Sequence, residues 1–386
     1  MAIHACSWGA ALCLALLAGL PVTHGQAESP AGASGSERTA DVAGLQPGGE
    51  CPDPGPGAAR QIAAAASATI PLKEGVTFSS VWKRNTDDYE HECLEQITAI
   101  DARSILTTSS CPVGPRHEAN HRLRRICWSD LLNSHLYVTE HNEGFPETFV
   151  GALAFSLSLH SFAGLKGNEA IAHRYIEPRD DFHFIAIDID GQLKSDGAGT
   201  FKVIVNDRVL EVPTIEASYI NQRKGDIIRV KVLDDGRFPL MLDYYIPTLN
   251  KFFVTYTKVS FPTAREIEEH LAVDKRTDVY GIYFDFASDS MRSESLPVLR
   301  EIADAMTSHP EWTLIVNGHT DNIGNAAQNL DLSQRRALTV RKVLIDQFKI
   351  ASARLSTNGF GAAQPKESND TDRGRARNRR VELIRQ

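Results

Sequence analysis

Hydrophobic and polar positions change rhythm twice along this chain. From residue 68 to residue 262 they alternate in short runs divided by turn signals. "ATIPLKEGVTFSSVWK" is broken by Lys73-Glu74-Gly75, and "FHFIAIDIDG" alternates until Gly191. "TFKVIVNDRVLEVP" sets Asn206-Asp207 between two alternating runs, and "DIIRVKVLDDGRFPLMLDYYIP" repeats the device at Asp235-Gly236. A two-residue period marks strands with one buried face, and such dipeptides between them signal hairpins. The stretch predicts a soluble all-β domain, a sandwich or small barrel. Outer-membrane strands need about ten residues with an unbroken lipid-facing row, and Pro, Asp and Arg interrupt these runs.

Beyond residue 262 the period lengthens. "TAREIEEHLAVDK" (263–275) places Ile267 and Leu271 four apart behind Thr263 and predicts a short connector helix. "VYGIYFDF" then reads as a strand. "SESLPVLREIADAMTSHP" reads as a helix with Leu296, Leu299, Ile302, Ala303 and Met306 on one face. "WTLIVNGHT" is a strand, "LSQRRALTVRKVLIDQFK" a helix striped by Ala337, Val340 and Leu344, and "RLSTNGFG" and "RRVELIR" are strands. This βαβαββ order predicts an α+β domain, a mixed sheet with two helices on one face.

Before residue 68 neither period is present. Residues 9–20 are small or apolar, the length of a signal-peptide core and too short to span a bilayer. With Gly25 and Ala27 at cleavage positions, residues 1–27 are expected to be a signal peptide. Residues 28–67, rich in Ala, Gly, Ser and Pro, are expected to be a flexible linker. The organisation expected is thus signal peptide, linker, β-rich domain (68–262) and C-terminal domain (263–386).

Charge and cysteines narrow the partners. A formal net charge of −8 gives a nucleic-acid partner no electrostatic support. Export removes Cys6 and Cys13 and leaves Cys51, Cys93, Cys111 and Cys127, an even set suited to disulfides in an oxidising compartment. Their connectivity is open. Cys111, His117, His121 and Cys127 also resemble a zinc pattern, but with looser gaps than the usual ligand pairs. No metal or cofactor is expected.

The candidate chemistry lies in "NGHTDNIGNAAQNLDLSQRRA" (317–337). The strand should end at Gly318 and leave Thr320 and Asp321 in the loop beyond it. Asn329 or Asp331 would cap a helix beginning near Leu332, with Arg336 about one turn in. Asp321 then offers two acceptors to an ammonium and Arg336 a planar fork to a carboxylate, a clamp for a zwitterion. Free amides at the helix start would favour the same anion. The alternative is that Asp321 and Arg336 merely pair with each other. Asp285, Asp289 and Glu294 form a possible acid/base group for glycan cleavage, against a turn with Ser293 as helix cap. "DDYEHE" (87–92) reads as a solvated loop, "DIDGQLKSDGAG" as a turn, and the basic "RGRARNRR" as a surface for carboxylates or anionic polymer.

"IYFDFASDSM", "VNGHTDNIGNAAQNLDLSQRRALTVRKVL" and "RLSTNGFGAAQPKESNDTDRGRARNRRVEL" closely resemble the OmpA-like peptidoglycan-binding domain, from about residue 279 to the end. The resemblance implies non-covalent, non-catalytic binding of the meso-diaminopimelate residue of the stem peptide. It implies that Asp321 and Arg336 are the binding pair, supported by Thr320, Asn329 and Arg379. Ala287 stands where some members place a polar contact residue. The implied partner is peptidoglycan and the implied location the periplasm, with or without association to the outer membrane. Residues 68–262 carry no such resemblance. Two rivals stay open: a cell-wall-targeted enzyme with its site in the β-rich domain, and an envelope interaction protein whose partner binds there.

Overall fold

Alternating positions in the first part of the chain build strands, as their period requires. The computed structural model describes residues 50–386 except 56, 67, 84–90, 114–117, 139–151, 154, 179–184, 221–226, 247–251 and 264. The expected signal peptide and residues 28–49 of the expected linker lie outside the described residues. The rest of that linker is not a plain tether. Cys51 is buried, and Ala58–Ala66 form a helix (α1) that places Ala65 in the core. Alanine is the best helix former, and a disulfide fixes the segment at Cys51.

Strands follow as β1 (Thr77–Lys83), β2 (His91–Ile100), β3 (Ser104–Val113) and β4 (Glu118–Cys127). After α2 (Trp128–Asn133) come β5 (Leu136–Val138) and β6 (Ala152–Leu153), then α3 (Leu159–Lys166). The run closes with β7 (Ile171–Pro178), β8 (Ile185–Val205), β9 (Arg208–Ile220), β10 (Ile227–Leu233), β11 (Met241–Ile246) and β12 (Phe252–Ser260). All twelve join one sheet in the order β4-β3-β2-β1-β12-β11-β10-β9-β8-β7-β5-β6. A parallel pairing of Lys258 and Val259 with Ile204 and Val205 closes β8 to β12 into a five-stranded ring. The expectation of a small barrel holds for this ring alone, since the remaining strands extend the same sheet instead of forming a second one.

Asn206-Asp207 makes the expected hairpin, with Val205 opposite Arg208 and Asn206 at φ 51°. The expected stop at Gly191 and turn at "DIDGQLKSDGAG" are absent. β8 runs 21 residues through both. Its register shifts between Ser195 and Gly197, and Gly197 sits at φ 130°. This bulge bends the strand where an ordinary turn was expected.

Cys51 pairs with Cys127, and Cys93 with Cys111 across β2 and β3. The two cysteines of the zinc-like pattern therefore belong to different disulfides. His117 lies outside the described residues.

The C-terminal part contains α4 (Glu266–Val273), β13 (Arg276–Val279), α5 (Leu296–Ser308), β14 (Leu314–Gly318), α6 (Ala326–Asp346), β15 (Leu355–Gly359), α7 (Asp372–Asn378) and β16 (Val381–Arg385). Its four-stranded sheet has the order β13-β16-β14-β15, with one parallel pair, β14–β15. The sheet is mixed, as expected. Two details differ. The first strand is 276–279 rather than 279–286, leaving only a bridge between Phe284 and Met291 beyond it. A further short helix, α7, also separates the last two strands. Thr371 caps it by accepting from the Gly374 amide at 3.0 Å.

Leu299, Ile302 and Met306 of α5 share one buried cluster with Ala337, Val340 and Leu344 of α6, Leu314 and Val316 of β14, and Leu383. Leu314 and Val316 lie two apart, so both helices cover one face of the sheet. Leu296, expected in the stripe, is 39% exposed because it begins the helix.

The β-rich part keeps its own core around Phe78, Phe155, Tyr175 and Phe238. Residues 40–386 nevertheless form one compact unit. Glu294, 2% exposed, accepts from the Ser110 hydroxyl of β3 at 2.6 Å, while its carbonyl accepts from Gln96 of β2 at 3.0 Å. Ser260 and Tyr283 hydroxyls meet at 2.8 Å.

Candidate ligand-binding site

A cavity of about 910 Å³ opens beyond the end of β14. Glycines make its walls possible. A Cβ on Gly318 would lie 2.1 Å from the Ser333 carbonyl oxygen, so only glycine lets α6 lie this close to the strand end. The chain leaves Gly318 into a loop that carries His319, Thr320 and Asp321, all lining the cavity.

α6 starts earlier than the sequence reading placed it. Gly324 turns the chain at φ 92°, and the Asn325 side chain accepts from the amides of Ala327 at 2.8 Å and Gln328 at 3.4 Å. Asn329 and Asp331 are therefore inside the helix, and Arg336 lies about three turns in. The helix-start amides are thus occupied by Asn325 and stand away from Arg336. The support expected from them for a bound anion is not found.

Asn329 has a different task. Its amide donates to the carbonyls of Asp321 at 3.3 Å and Ile323 at 3.0 Å, tying the loop to the helix. Asp321 points into the cavity wall. Its Oδ1 accepts from the Ile323 amide at 3.0 Å, and its Oδ2 accepts from Arg379 Nη1 at 2.7 Å. The Thr320 hydroxyl is buried and has no hydrogen-bond partner among the described residues.

The two adjacent arginines divide. Arg335 turns outward to Asp331 at 2.9 Å and to Asp289. Arg336 turns inward. Its Nε donates to the Ser288 carbonyl at 2.9 Å and its Nη2 to the Asp285 carbonyl at 3.3 Å, and it lies 4.9 Å from the centre of the Phe284 ring. Ala287, between those carbonyls, adopts φ 50°. No carboxylate among the described residues pairs with Arg336, and burial, then Arg379, pushes its guanidinium down to about 10. Asp321 and Arg336 do not pair with each other. A half-buried guanidinium on an open cavity has the charge and planar donors to accept a carboxylate.

His319 faces Phe360, with ring centres 5.3 Å apart, and lies 3.8 Å from Glu382 Oε2. Burial, then Arg380, pushes its imidazole down to about 4. It is a packed neutral ring in the cavity wall.

The three acids considered for glycan cleavage are separated by their partners. Asp285 meets Arg292 at 3.3 Å, Asp289 meets Arg335, and Glu294 is the buried acceptor of Ser110. Ser293 belongs to a short 3-10 turn preceding α5 and does not cap it. The basic tail is likewise neutralised within the chain. Arg373 and Arg377 meet Glu367, Arg375 meets Asp372, and Arg380 meets Asp278 at 3.0 Å. The expected open surface for anionic polymer gives way to internal ion pairs. Among the described residues no group of three or more His, Cys, Asp or Glu side chains could hold a metal.

Two cavity residues escaped the sequence reading. Glu92, assigned there to a solvated loop, sits on β2, and Lys258 on β12. They pair at 2.9 Å in the cavity wall. Burial raises the Glu92 carboxyl, but Lys258, Arg379 and the Ser79 hydroxyl outweigh it and hold Glu92 well below the usual carboxylate range. Burial lowers Lys258 more than Glu92 restores it. One carboxylate shared between two cations accounts for the asymmetry, and Glu92 stays ionised. The available signal was its place on one strand face with Leu94 and Gln96, two and four residues on, both buried.

Residues 283–379 match the model of the OmpA family. This segment is an OmpA family domain. Over 101 residues the chain is 39% identical to outer membrane porin F of Pseudomonas aeruginosa, covering 26% of this chain and 29% of that protein. It is 38% identical over 87 residues to the peptidoglycan-binding protein ArfA of Mycobacterium tuberculosis, covering 22% of this chain and 26% of that one. The chain thus spans under a third of the length of either relative. Among solved structures, the peptidoglycan-associated lipoprotein from Burkholderia pseudomallei is 31% identical, covering 27% of this chain and 88% of that chain with a TM-score of 0.26. The β-rich sheet lies outside the family match.

Proposed function

We propose that this chain binds peptidoglycan without catalysis, gripping the meso-diaminopimelate residue of the stem peptide and anchoring an envelope protein to the cell wall in the periplasm. Arg336 takes the free carboxylate of that residue, Asp321 its ammonium, and the Thr320 hydroxyl a ligand oxygen. Asn329 and Arg379 hold Asp321 in place. The observation that carries this reading is the half-buried Arg336 guanidinium, without a carboxylate partner among the described residues, lining one cavity with Asp321. The OmpA family domain and a relative named as peptidoglycan-binding support the same ligand class.

The test is co-sedimentation of the full chain with purified sacculi, beside calorimetry with L-Ala-γ-D-Glu-meso-diaminopimelate. Binding in both assays is expected, with no release of soluble fragments. Failure to sediment, or sedimentation unchanged in Arg336→Ala, overturns the reading.

A further inference from the structure

Glu92 lies outside the OmpA family domain, yet it lines the same cavity as Asp321 and Arg336. Its Oε1 accepts from the Lys258 ammonium at 2.9 Å and from the Ser79 hydroxyl at 2.7 Å, and lies 3.8 Å from Arg379 Nη2. Arg379 in turn donates Nη1 to Asp321 Oδ2 at 2.7 Å. Lys258, Glu92, Arg379 and Asp321 thus form a line of alternating charge, running from β12 across β2 into the ligand loop.

The arrangement answers an electrostatic difficulty in the clamp. A carboxylate bonded to an arginine is a poor acceptor for a second cation, because the arginine repels it across a short distance. A second carboxylate beside that arginine offsets its charge. Glu92 is placed to do this. Were it only an ion pair within the β-rich part, Lys258 and Ser79, both in that part, would satisfy it without Arg379 or the cavity. Instead, 23% of its side chain stays accessible while Lys258 is sealed at 2%. Both residues line the cavity, and the carboxylate is the more accessible of the two.

We propose that Glu92 is a positioning residue for the ligand site: by sharing Arg379, the β-rich sheet keeps the Asp321 carboxylate able to accept a ligand ammonium. The binding site is then built from both parts of the chain, and its preference for a ligand that carries an ammonium is set partly from outside the OmpA family domain. This rests on the clamp reading given above.

The experiment compares two peptides on the full chain. One is L-Ala-γ-D-Glu-meso-diaminopimelate. The other carries 2-aminopimelate in its place, which keeps the terminal carboxylate and lacks the ammonium. Glu92→Gln should lower affinity for the first peptide roughly two- to a hundred-fold, the range for residues coupled in one charge network, and leave the second nearly unchanged. Glu92→Asp, which keeps the charge, should retain more of the preference than Glu92→Gln. Equal losses for both peptides with a lowered melting temperature would make Glu92 a packing contact only and overturn the proposal. So would unchanged affinity for both in a folded Glu92→Gln. A wild-type chain that binds neither peptide overturns the clamp itself, a result distinct from a wild type that binds and variants that bind equally well.

Discussion

Arg379 donates to Asp321 at 2.7 Å, while Arg336, which the sequence set opposite that aspartate, holds the carbonyls of Ser288 and Asp285 instead. The aspartate and Arg336 therefore remain separate charges, one anionic and one cationic, on a single cavity. Variants of each should lose different ends of the proposed ligand.

Asp321→Ala should weaken binding of the diaminopimelate tripeptide roughly ten- to a hundred-fold, the effect of losing a charge-assisted hydrogen bond. It should barely change binding of the 2-aminopimelate analogue, which has no ammonium to lose. Arg336→Ala should show the reverse selectivity. It should weaken the diaminopimelate peptide by a similar factor and leave unaffected a peptide with lysine in its place, which lacks the side-chain carboxylate. Titration calorimetry of the two variants against three peptides reads this directly. Losses that do not sort by ligand end would remove the two-receptor reading.

Arg336→Lys should not restore affinity. The guanidinium bonds two backbone carbonyls and retains N–H groups for a ligand, and an ammonium cannot reproduce that planar fork. The variant should also melt lower than the wild type, because the turn at Ala287 loses a tie to α6. Recovered affinity in Arg336→Lys would show that charge alone suffices.

Stability should fall as pH drops from about 6.5 to about 4. Burial pushes both His173 and His319 down from 6.5 to about 4, so each is neutral in the fold where the unfolded chain is already protonated. A folded value below the unfolded one means the contribution is complete above 6.5 and lost as pH falls through the folded value. Each histidine should account for up to about 3 kcal/mol over that window. Glu92, Asp235 and Glu382, held low in the fold, add their own loss below their ordinary values of about 4, so the upper part of the window isolates the histidines. Urea midpoints at pH 7, 6 and 5 should decline, and His319→Gln should flatten the slope by about half. A midpoint constant from pH 7 to pH 5 would contradict the assignment.

Replacing Cys51 and Cys127 with serine should cost about 2–5 kcal/mol, the usual range for a native disulfide. The bond closes a sequence separation of 76 residues and fixes α1 against the β-rich core. Denaturant unfolding of the double variant measures the loss, and peptide affinity should be unchanged because neither cysteine lines the cavity. A variant as stable as the wild type would mean that α1 docks without its tether.

Much of the C-terminal fold was legible because its elements are local. The stripe at Ala337, Val340 and Leu344 and the run Leu314–Gly318 name a helix and a strand from their own spacing. The start of α6 was not legible, since Gly324 and Asn325 read as loop formers until the Asn325 cap shows them to be the loop's end. α7 was hidden for a related reason. Its arginines look like a solvent-facing charge run, and the fold turns Arg373 and Arg377 back onto Glu367, with neighbouring Arg380 on Asp278. Glu92 shows the limit most clearly. Its partners Lys258, Arg292 and Arg379 come from distant strands, loops and helix ends, and no window of the sequence contains any two of them with Glu92.

The glycine in "NGHTD" is open to a sharper test than the charged residues around it. A Cβ at position 318 would stand 2.1 Å from the Ser333 carbonyl oxygen and 2.9 Å from its carbonyl carbon, both backbone atoms in α6. No rotamer change can relieve that contact, so the helix must move away from β14. Gly318→Ala should therefore cost more than the about 1–3 kcal/mol usual for overpacking with movable side chains. The shift acts on the helix that carries both Arg336 and the Asn329 tie to the loop, so affinity for the diaminopimelate tripeptide should fall in whatever protein remains folded. Gly324→Ala offers the contrast. Nothing lies within 4 Å of its Cβ, so its cost is confined to the strain of φ 92° in the loop before the helix. Melting curves of the two variants should place Gly318→Ala well below Gly324→Ala. The opposite order would mean that backbone conformation, rather than the close approach of α6, governs this stretch.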